Sequence, residues 1–223
     1  MQSLNDIVLC PTTSAPIIIR LATPSDIYSM TELHCNSFSA DEHIPMMLGP
    51  LYVQATYRWL VGSGRSFALV AESEESIIGL IAVCDGPFTR PMFFSCLPAL
   101  LKSILLSPQL ILKKRLWGRL FRKPSQPTRT GSTKREKDYE FAQMTIGAVK
   151  SAYRGLGIFP ALVQALIPYC EKRGSKGIVA GVYKINTASR NVFVKNNWHE
   201  EELLETSDTV FYIYKIQSAP PFG

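Results

Sequence analysis

The stretch Tyr153-Arg154-Gly155-Leu156-Gly157-Ile158-Phe159 joins two segments of different period. Before it, Phe141 to Val149 forms an extended apolar run. After it, Pro160 to Lys172 carries a helical stripe of Phe159, Leu162, Leu166 and Cys170. A strand that turns directly into a helix leaves the first helical N–H groups without intrahelical partners, at the positive end of the helix dipole. Glycines in that turn allow a phosphate to approach the backbone closely. The turn is therefore a candidate anion cradle. It is neither a P-loop, which needs Lys-Ser/Thr after its second glycine, nor a Rossmann turn, which needs a third glycine and an early βαβ position.

Working outward, Ile17-Ile18-Ile19-Arg20 reads as a buried strand. Thr23-Pro24-Ser25-Asp26 reads as a helix start, with a capping threonine, a first-turn proline and a first-turn acid. Ile27, Met30, Leu33 and Phe38 supply that helix's apolar stripe, and a second helical stretch from Ile44 to Leu60 is interrupted at Gly49-Pro50. Strands are expected over Ser66–Glu72 and Ser76–Val83, with a polar turn at Glu72-Ser73-Glu74-Glu75. After a long departure from Asp85 to Asp138, the fourth strand and the glycine turn follow. Then come a strand at Gly177–Tyr183, a helix at Thr187–Asn196 and a strand at Thr209–Ile216; Pro168 should kink or shorten the helix that contains it. The order β-α-α-β-β-(insert)-β-α-β-α-β predicts an α/β (α+β) fold, a mixed sheet with helices on its faces. One domain is expected over 17–217, with a helical insertion at about 86–138 and tails at 1–16 and 218–223.

This order, with a glycine turn after the fourth strand, resembles the GCN5-related N-acetyltransferases (GNAT superfamily). Arg154-Gly155-Leu156-Gly157-Ile158-Phe159 takes the place of their Arg/Gln-x-x-Gly-x-Gly/Ala signature. Ile17-Ile18-Ile19-Arg20-x-Ala22-Thr23-x-x-Asp26 is similar to their opening, and Asn186 to Trp198 is similar to their late Asn-x-x-Ala-x-x-x-Tyr-x-x-x-Gly-Phe segment. The resemblance implies a mostly antiparallel central sheet and an acyl-CoA-dependent N-acyltransferase. The simplest reaction is acetyl transfer from acetyl-CoA to a small-molecule primary amine, by direct attack in a ternary complex. It implies that Arg154 and the amides of Gly155, Leu156, Gly157, Ile158 and Phe159 hold the cofactor pyrophosphate. It also implies that the splayed strand end at Ala148 and Val149 receives the pantetheine arm and helps polarise the thioester carbonyl, with Asn186 a further contact. Asn186 reads equally as a helix N-cap.

The departures bear on catalysis. Phe159 replaces the signature's last small residue, and Pro160 after it has no N–H. Phe193 stands where many members carry a tyrosine that protonates the leaving thiolate, and Gln143 stands where some carry a glutamate base. An alkyl ammonium of pKa near 10.4 is neutral in only about one molecule in 2,500 at pH 7, so its proton needs an acceptor. Glu140 is the leading candidate base, ahead of Asp138 and of Asp41, Glu42 and His43 in the loop after the first helix. A thiol of pKa near 8.5 leaves tolerably without an acid. The alternatives are a non-catalytic acyl-CoA-binding module and a membrane-surface protein whose basic insertion is the functional part.

Composition sets the remaining bounds. Apolar residues make up 46% and charged residues 19% of 223, a globular composition. Five scattered cysteines read as buried thiols of a reducing compartment, the cytoplasm. No metal spacing and no secretory leader are evident. The net charge of +6 is concentrated between Lys102 and Lys137, where 11 Lys/Arg face the single Glu136. Nucleic-acid binding is not expected, since it more often uses basic residues spread over a face. Leu101, Ile104, Leu105, Leu110, Leu112, Leu116 and Leu120, alternating with Lys/Arg, suggest two short basic amphipathic helices around Ser107-Pro108. A lid or partner-facing subdomain, a peripheral membrane contact that inserts Trp117 and Phe121, and an anion-binding surface all remain open readings of this insertion. Arg122 to Asp138 reads as a linker.

Overall fold

The computed structural model describes residues 7–9, 16–39, 43–112 and 140–216. The strands are β1 (Ile7–Leu9), β2 (Ile17–Leu21), β3 (Ser66–Ser73), β4 (Ser76–Asp85), β5 (Phe141–Val149), β6 (Gly177–Tyr183), β7 (His199–Glu200) and β8 (Thr209–Lys215). They form one sheet in the order β1-β2-β3-β4-β5-β6-β8-β7. Every neighbouring pair is antiparallel except β5 and β6. The mixed, mostly antiparallel sheet expected from the sequence is present. Two short strands are additions: β1, within the expected tail, pairs with β2, and β7 pairs with β8.

Helices cover both faces. On one, α1 (Ile27–Ser37) and α3 (Pro50–Gly62) pack over Ala68, Val70, Leu80, Ala82, Ile146 and Ala148. The short α2 (Ile44–Met47) precedes α3, and Gly49-Pro50 separates them as the sequence indicates. On the other face, α6 (Ile158–Lys172) and α7 (Thr187–Lys195) enclose a core of Leu69, Ile81, Val83, Leu162, Leu166 and Phe193. Along β3 and β4 the side chains alternate between these cores, as strands buried on both faces require, whereas β2, β6 and β8 contribute only to the second. Pro168 lies inside α6, which nevertheless continues to Lys172.

Two local devices fix the frame. Arg20 on β2 makes a bidentate pair with Asp26 (2.8 and 2.9 Å) and a third bond to Glu72 on β3 (2.6 Å). Asp26 also accepts from the Thr23 amide at 2.7 Å, so the start of α1 is tied to two strands. The β3–β4 hairpin turns on Glu74 and Glu75, both left-handed with φ of 49° and 60°; this turn works without the preferred Asn-Gly pair.

The insertion begins with α4 (Thr89–Leu106), longer than expected, and α5 (Gln109–Leu112), broken from it at Ser107-Pro108 as anticipated. Cys96, Leu100 and Ser103 of α4 are buried, and Cys96 and Leu100 cluster with Met47, Leu48 and Tyr52. The readings placed on Leu116, Trp117, Leu120, Phe121, Asp138 and the linker lie outside the described residues, as do those on Asp41 and Glu42.

Candidate functional site

The site is created by a fault in the sheet. β5 and β6 are paired only from Phe141–Gly177 to Met144–Ala180, although β5 runs on to Val149 and β6 to Tyr183. On its other side β5 stays paired to β4 as far as Val149–Gly79, and β6 stays paired to β8 as far as Tyr183–Thr209. The separation starts at a bulge: Ala82 faces Ile146 while Val83 faces Met144, leaving Thr145 as the extra residue. Its hydroxyl donates to the Ala82 carbonyl at 3.1 Å. A bulge bends its strand and ends regular pairing, so β5 leaves β6 from Thr145 onward. Ala148 and Val149, expected at a splayed strand end, lie on this diverging half.

The glycine turn closes the same end. A 3-10 turn, Ser151–Tyr153, leads from β5 to Arg154. Gly155 and Gly157 have φ of +83° and +79°, with Gly157 as the N-cap of α6, and nothing lies within 4 Å of where their Cβ atoms would be. Among the described residues, no group accepts a hydrogen bond from the amides of Gly155, Leu156, Gly157, Ile158 or Phe159. These N–H groups, the helix dipole and the clear space above the glycines together suit a pyrophosphate. The Arg154 Nε folds back to the Val149 carbonyl (3.2 Å), which fixes the turn against the diverging strand.

Phe159 packs where the sequence could not show. A Cβ at Gly147 would lie 2.7 Å from its Cε2, so the ring rests directly on the bare backbone of β5. Its edge meets Phe193, centroids 6.1 Å apart. Phe193 is fully buried, stacked on Tyr212 (5.5 Å) and edge-on to Trp198 (4.9 Å). Phe193 therefore serves the core, and the Phe159 ring is the side chain beside the diverging strand. Asn186 is the N-cap of α7: its side-chain oxygen accepts from the Ser189 amide at 3.1 Å.

Glu140 is not brought to this end. It precedes the paired half of β5, five residues from the bulge, or about 16 Å at the rise of a strand. Its carboxylate is held by Lys176 at 2.5 Å. Gln143 faces Cys84 in the same paired half. The His34–His43–Tyr57 group is a different arrangement, and the sequence reading named only His43 of the three. The Nδ1 of His34 lies 2.8 Å from the Tyr57 hydroxyl and its Nε2 lies 3.1 Å from the Nδ1 of His43. Phe38 stacks on His43, centroids 4.6 Å apart, and packs against the cluster that contains Ile146 and Ala148 of β5. Burial holds His34 down to about 3, helped by the charge of His43, and burial holds His43 down to about 4. Both imidazoles are neutral near pH 7. Pairings 23 and 9 residues apart in sequence leave no local signal.

Comparison with known proteins agrees with this geometry. Residues 117–198, which include β5, the turn, α6 and the Asn186 segment, match the model of the acetyltransferase (GNAT) family. That match spans 82 of the 223 residues and is a similarity to the family over this part of the chain. Its fold is that of the solved GNAT structures. The GNAT domain of PAT from S. lividans aligns at a TM-score of 0.61 and 12% identity, over 94% of this chain and 96% of that one. NAA60 of Arabidopsis thaliana, solved with acetyl-CoA, aligns at a TM-score of 0.56 and 14% identity, over 90% and 98%. PaiA N-acetyltransferase of Thermoplasma acidophilum, solved with coenzyme A, aligns at 0.57 and 12%, over 89% and 98%. No curated protein matches the chain in sequence.

Proposed function

We propose that this protein is a GNAT-type N-acyltransferase that moves an acetyl group from acetyl-CoA to the primary amine of a small molecule. The observation that carries this reading is the row of five unengaged amides, Gly155 to Phe159, standing beside the splay between β5 and β6. The pyrophosphate belongs against those amides, with Arg154 bracing the turn. The pantetheine arm belongs along Ala148 and Val149, whose edge toward β6 has lost its strand partner. The backbone amide of Asn186 donates to the Tyr183 carbonyl, whereas its side-chain Nδ2 donates to no group among the described residues and is free to assist.

Acetyl-CoA supplies the activated thioester carbon. The acceptor's C–N bond forms as the C–S bond breaks, and the sulfur leaves with the electron pair and takes up, through solvent, the proton that the new amide nitrogen sheds. Before attack, the acceptor ammonium must itself give up one proton. Glu140, in its ion pair far from the bulge, is poorly placed to receive that proton. His43 is better placed. Its Nδ1 is turned to His34, and its Nε2 makes no hydrogen bond among the described residues. As a neutral imidazole it accepts a hydrogen bond from the acceptor ammonium and passes the proton to water.

Neither Phe193 nor Phe159 can donate a proton. A thiol of ordinary acidity leaves without one, so the missing tyrosine does not exclude turnover.

The experiment is thiol release from acetyl-CoA over a broad amine panel, with product identified by mass spectrometry. N-acetylated product above the no-enzyme rate supports the reading. Cofactor binding without turnover on any amine would favour the non-catalytic module instead.

A further inference from the structure

Helix α4 is apolar on both sides. Its inner side is anchored by Cys96 and Leu100 against Tyr52 and the α2 region. Its outer side displays Pro91, Phe94, Pro98, Leu101 and Leu105, at steps of three and four residues, which makes a single stripe along a helix of about 27 Å. Phe94 is 67% exposed, Leu101 59%, Leu105 80% and the adjacent Leu106 64%. These are four of the ten large hydrophobic side chains that stand exposed among the described residues, gathered on one helix. An apolar stripe of this kind on a soluble surface marks a contact site.

Charge selects the occupant. The cations of α4, Arg90 and Lys102, have no acidic companion on the helix. From Gly86 to Arg135 the chain has eleven Lys/Arg and no carboxylate at all. A protein partner does not require such a one-signed stretch. Nucleic acid would use the cations but leave the Phe and Leu stripe in water. An anionic lipid surface uses both: apolar side chains enter the headgroup–acyl boundary while lysine and arginine meet the phosphates. No described helix is long and apolar enough to cross a membrane, so the contact lies in the plane of the interface.

We propose that the outer face of α4 docks this protein onto anionic phospholipid membranes, with Phe94, Leu101 and Leu105 inserted and Lys102 at the headgroups. The α4 inner face stays on the domain, packed against Tyr52, Met47 and Leu48.

Co-sedimentation of the full chain tests this, using phosphatidylcholine vesicles with and without phosphatidylglycerol. The protein is expected to pellet with the anionic vesicles, weakly with the neutral ones, and less at high salt as the charges are screened. The double variant Leu101→Asp and Leu105→Asp is expected to lose about tenfold or more of the vesicle-bound fraction. Its thermal unfolding should be unchanged, because both side chains are exposed. Lys102→Glu should weaken anionic binding alone. Absence of pelleting with either vesicle, equal pelleting with both, undiminished pelleting of a folded double variant, or retention only by duplex DNA would each overturn the proposal. Acetyl-CoA affinity in solution is read separately and is unaffected by these substitutions.

Discussion

Gly147→Ala adds one methyl group to β5 where the structure has no room for it. The new Cβ would lie 2.7 Å from Cε2 and 3.3 Å from Cζ of Phe159, and 3.0 Å from Cε of Met144. Carbon atoms prefer separations of about 3.5–4.0 Å, so the ring must withdraw by about 1 Å. The methionine end can rotate away. The ring cannot easily do so, because its edge rests on Phe193, which is fully buried and stacked on Tyr212. Overpacking of this kind costs about 1–3 kcal/mol, or a fall in Tm of roughly 2–4 °C per kcal/mol in a domain of this size. Phe159→Ala alone removes a half-buried ring and should cost about 2–3 kcal/mol, below the range for a fully buried Phe. In that background the added methyl has space, and Gly147→Ala becomes neutral or stabilising by up to about 1 kcal/mol through the lost backbone freedom of glycine. Urea unfolding of the four proteins at constant m-value measures the cycle. A coupling of about 2 kcal/mol is expected. Additive single effects would refute the contact, and with it the view that Phe159 fills the side of the splay.

Further expectations concern acid, the turn and the rate. His34 and His43 have folded pKa values of about 3 and 4, below the ordinary 6.5, so the unfolded chain takes up their protons first. Stability is complete above about pH 6.5 and falls as pH drops below it, by up to about 2–3 kcal/mol per histidine at pH 4.5. Urea midpoints at pH 7 and 4.5 measure this, and His34→Gln should remove about half of the pH dependence; an unchanged slope would contradict it. Gly157→Ala puts a Cβ on a residue with φ of +79° and no neighbours. It should cost about 1–2 kcal/mol of stability from the left-handed backbone and weaken acetyl-CoA binding by calorimetry beyond that of a surface alanine control. With the imidazoles neutral at working pH, log kcat/KM should rise with unit slope up to the pKa of the acceptor amine. A plateau set near pH 6–7 by a histidine would count against the assignment of His43.

Much of the frame was legible because its signals are local. The strands from Ser66 to Asp85 follow their apolar runs, Thr23-Pro24-Ser25-Asp26 opens a helical turn, and the glycine turn caps α6 where its spacing indicated. What was not legible depends on partners distant in sequence. The bulge at Thr145 is defined only by register against Ala82 and Val83, and strand alternation along β5 does not reveal it. The fit of Phe159 to Gly147 needs the helix laid back over its own strand. Glu140 was favoured for its nearness in sequence to the fourth strand, but a strand has two ends and the splay opens at the other. Strands β1 and β7 are two or three residues long, too short for a period to register.

The central claim is that the Gly155–Phe159 amides and the β5–β6 splay form an acyl-CoA site. Isothermal titration with acetyl-CoA tests it most directly. The account predicts saturable one-to-one binding, displaced by coenzyme A and weakened in Gly157→Ala. No heat and no thermal stabilisation at millimolar acetyl-CoA, or binding that Gly157→Ala leaves unchanged, would contradict it.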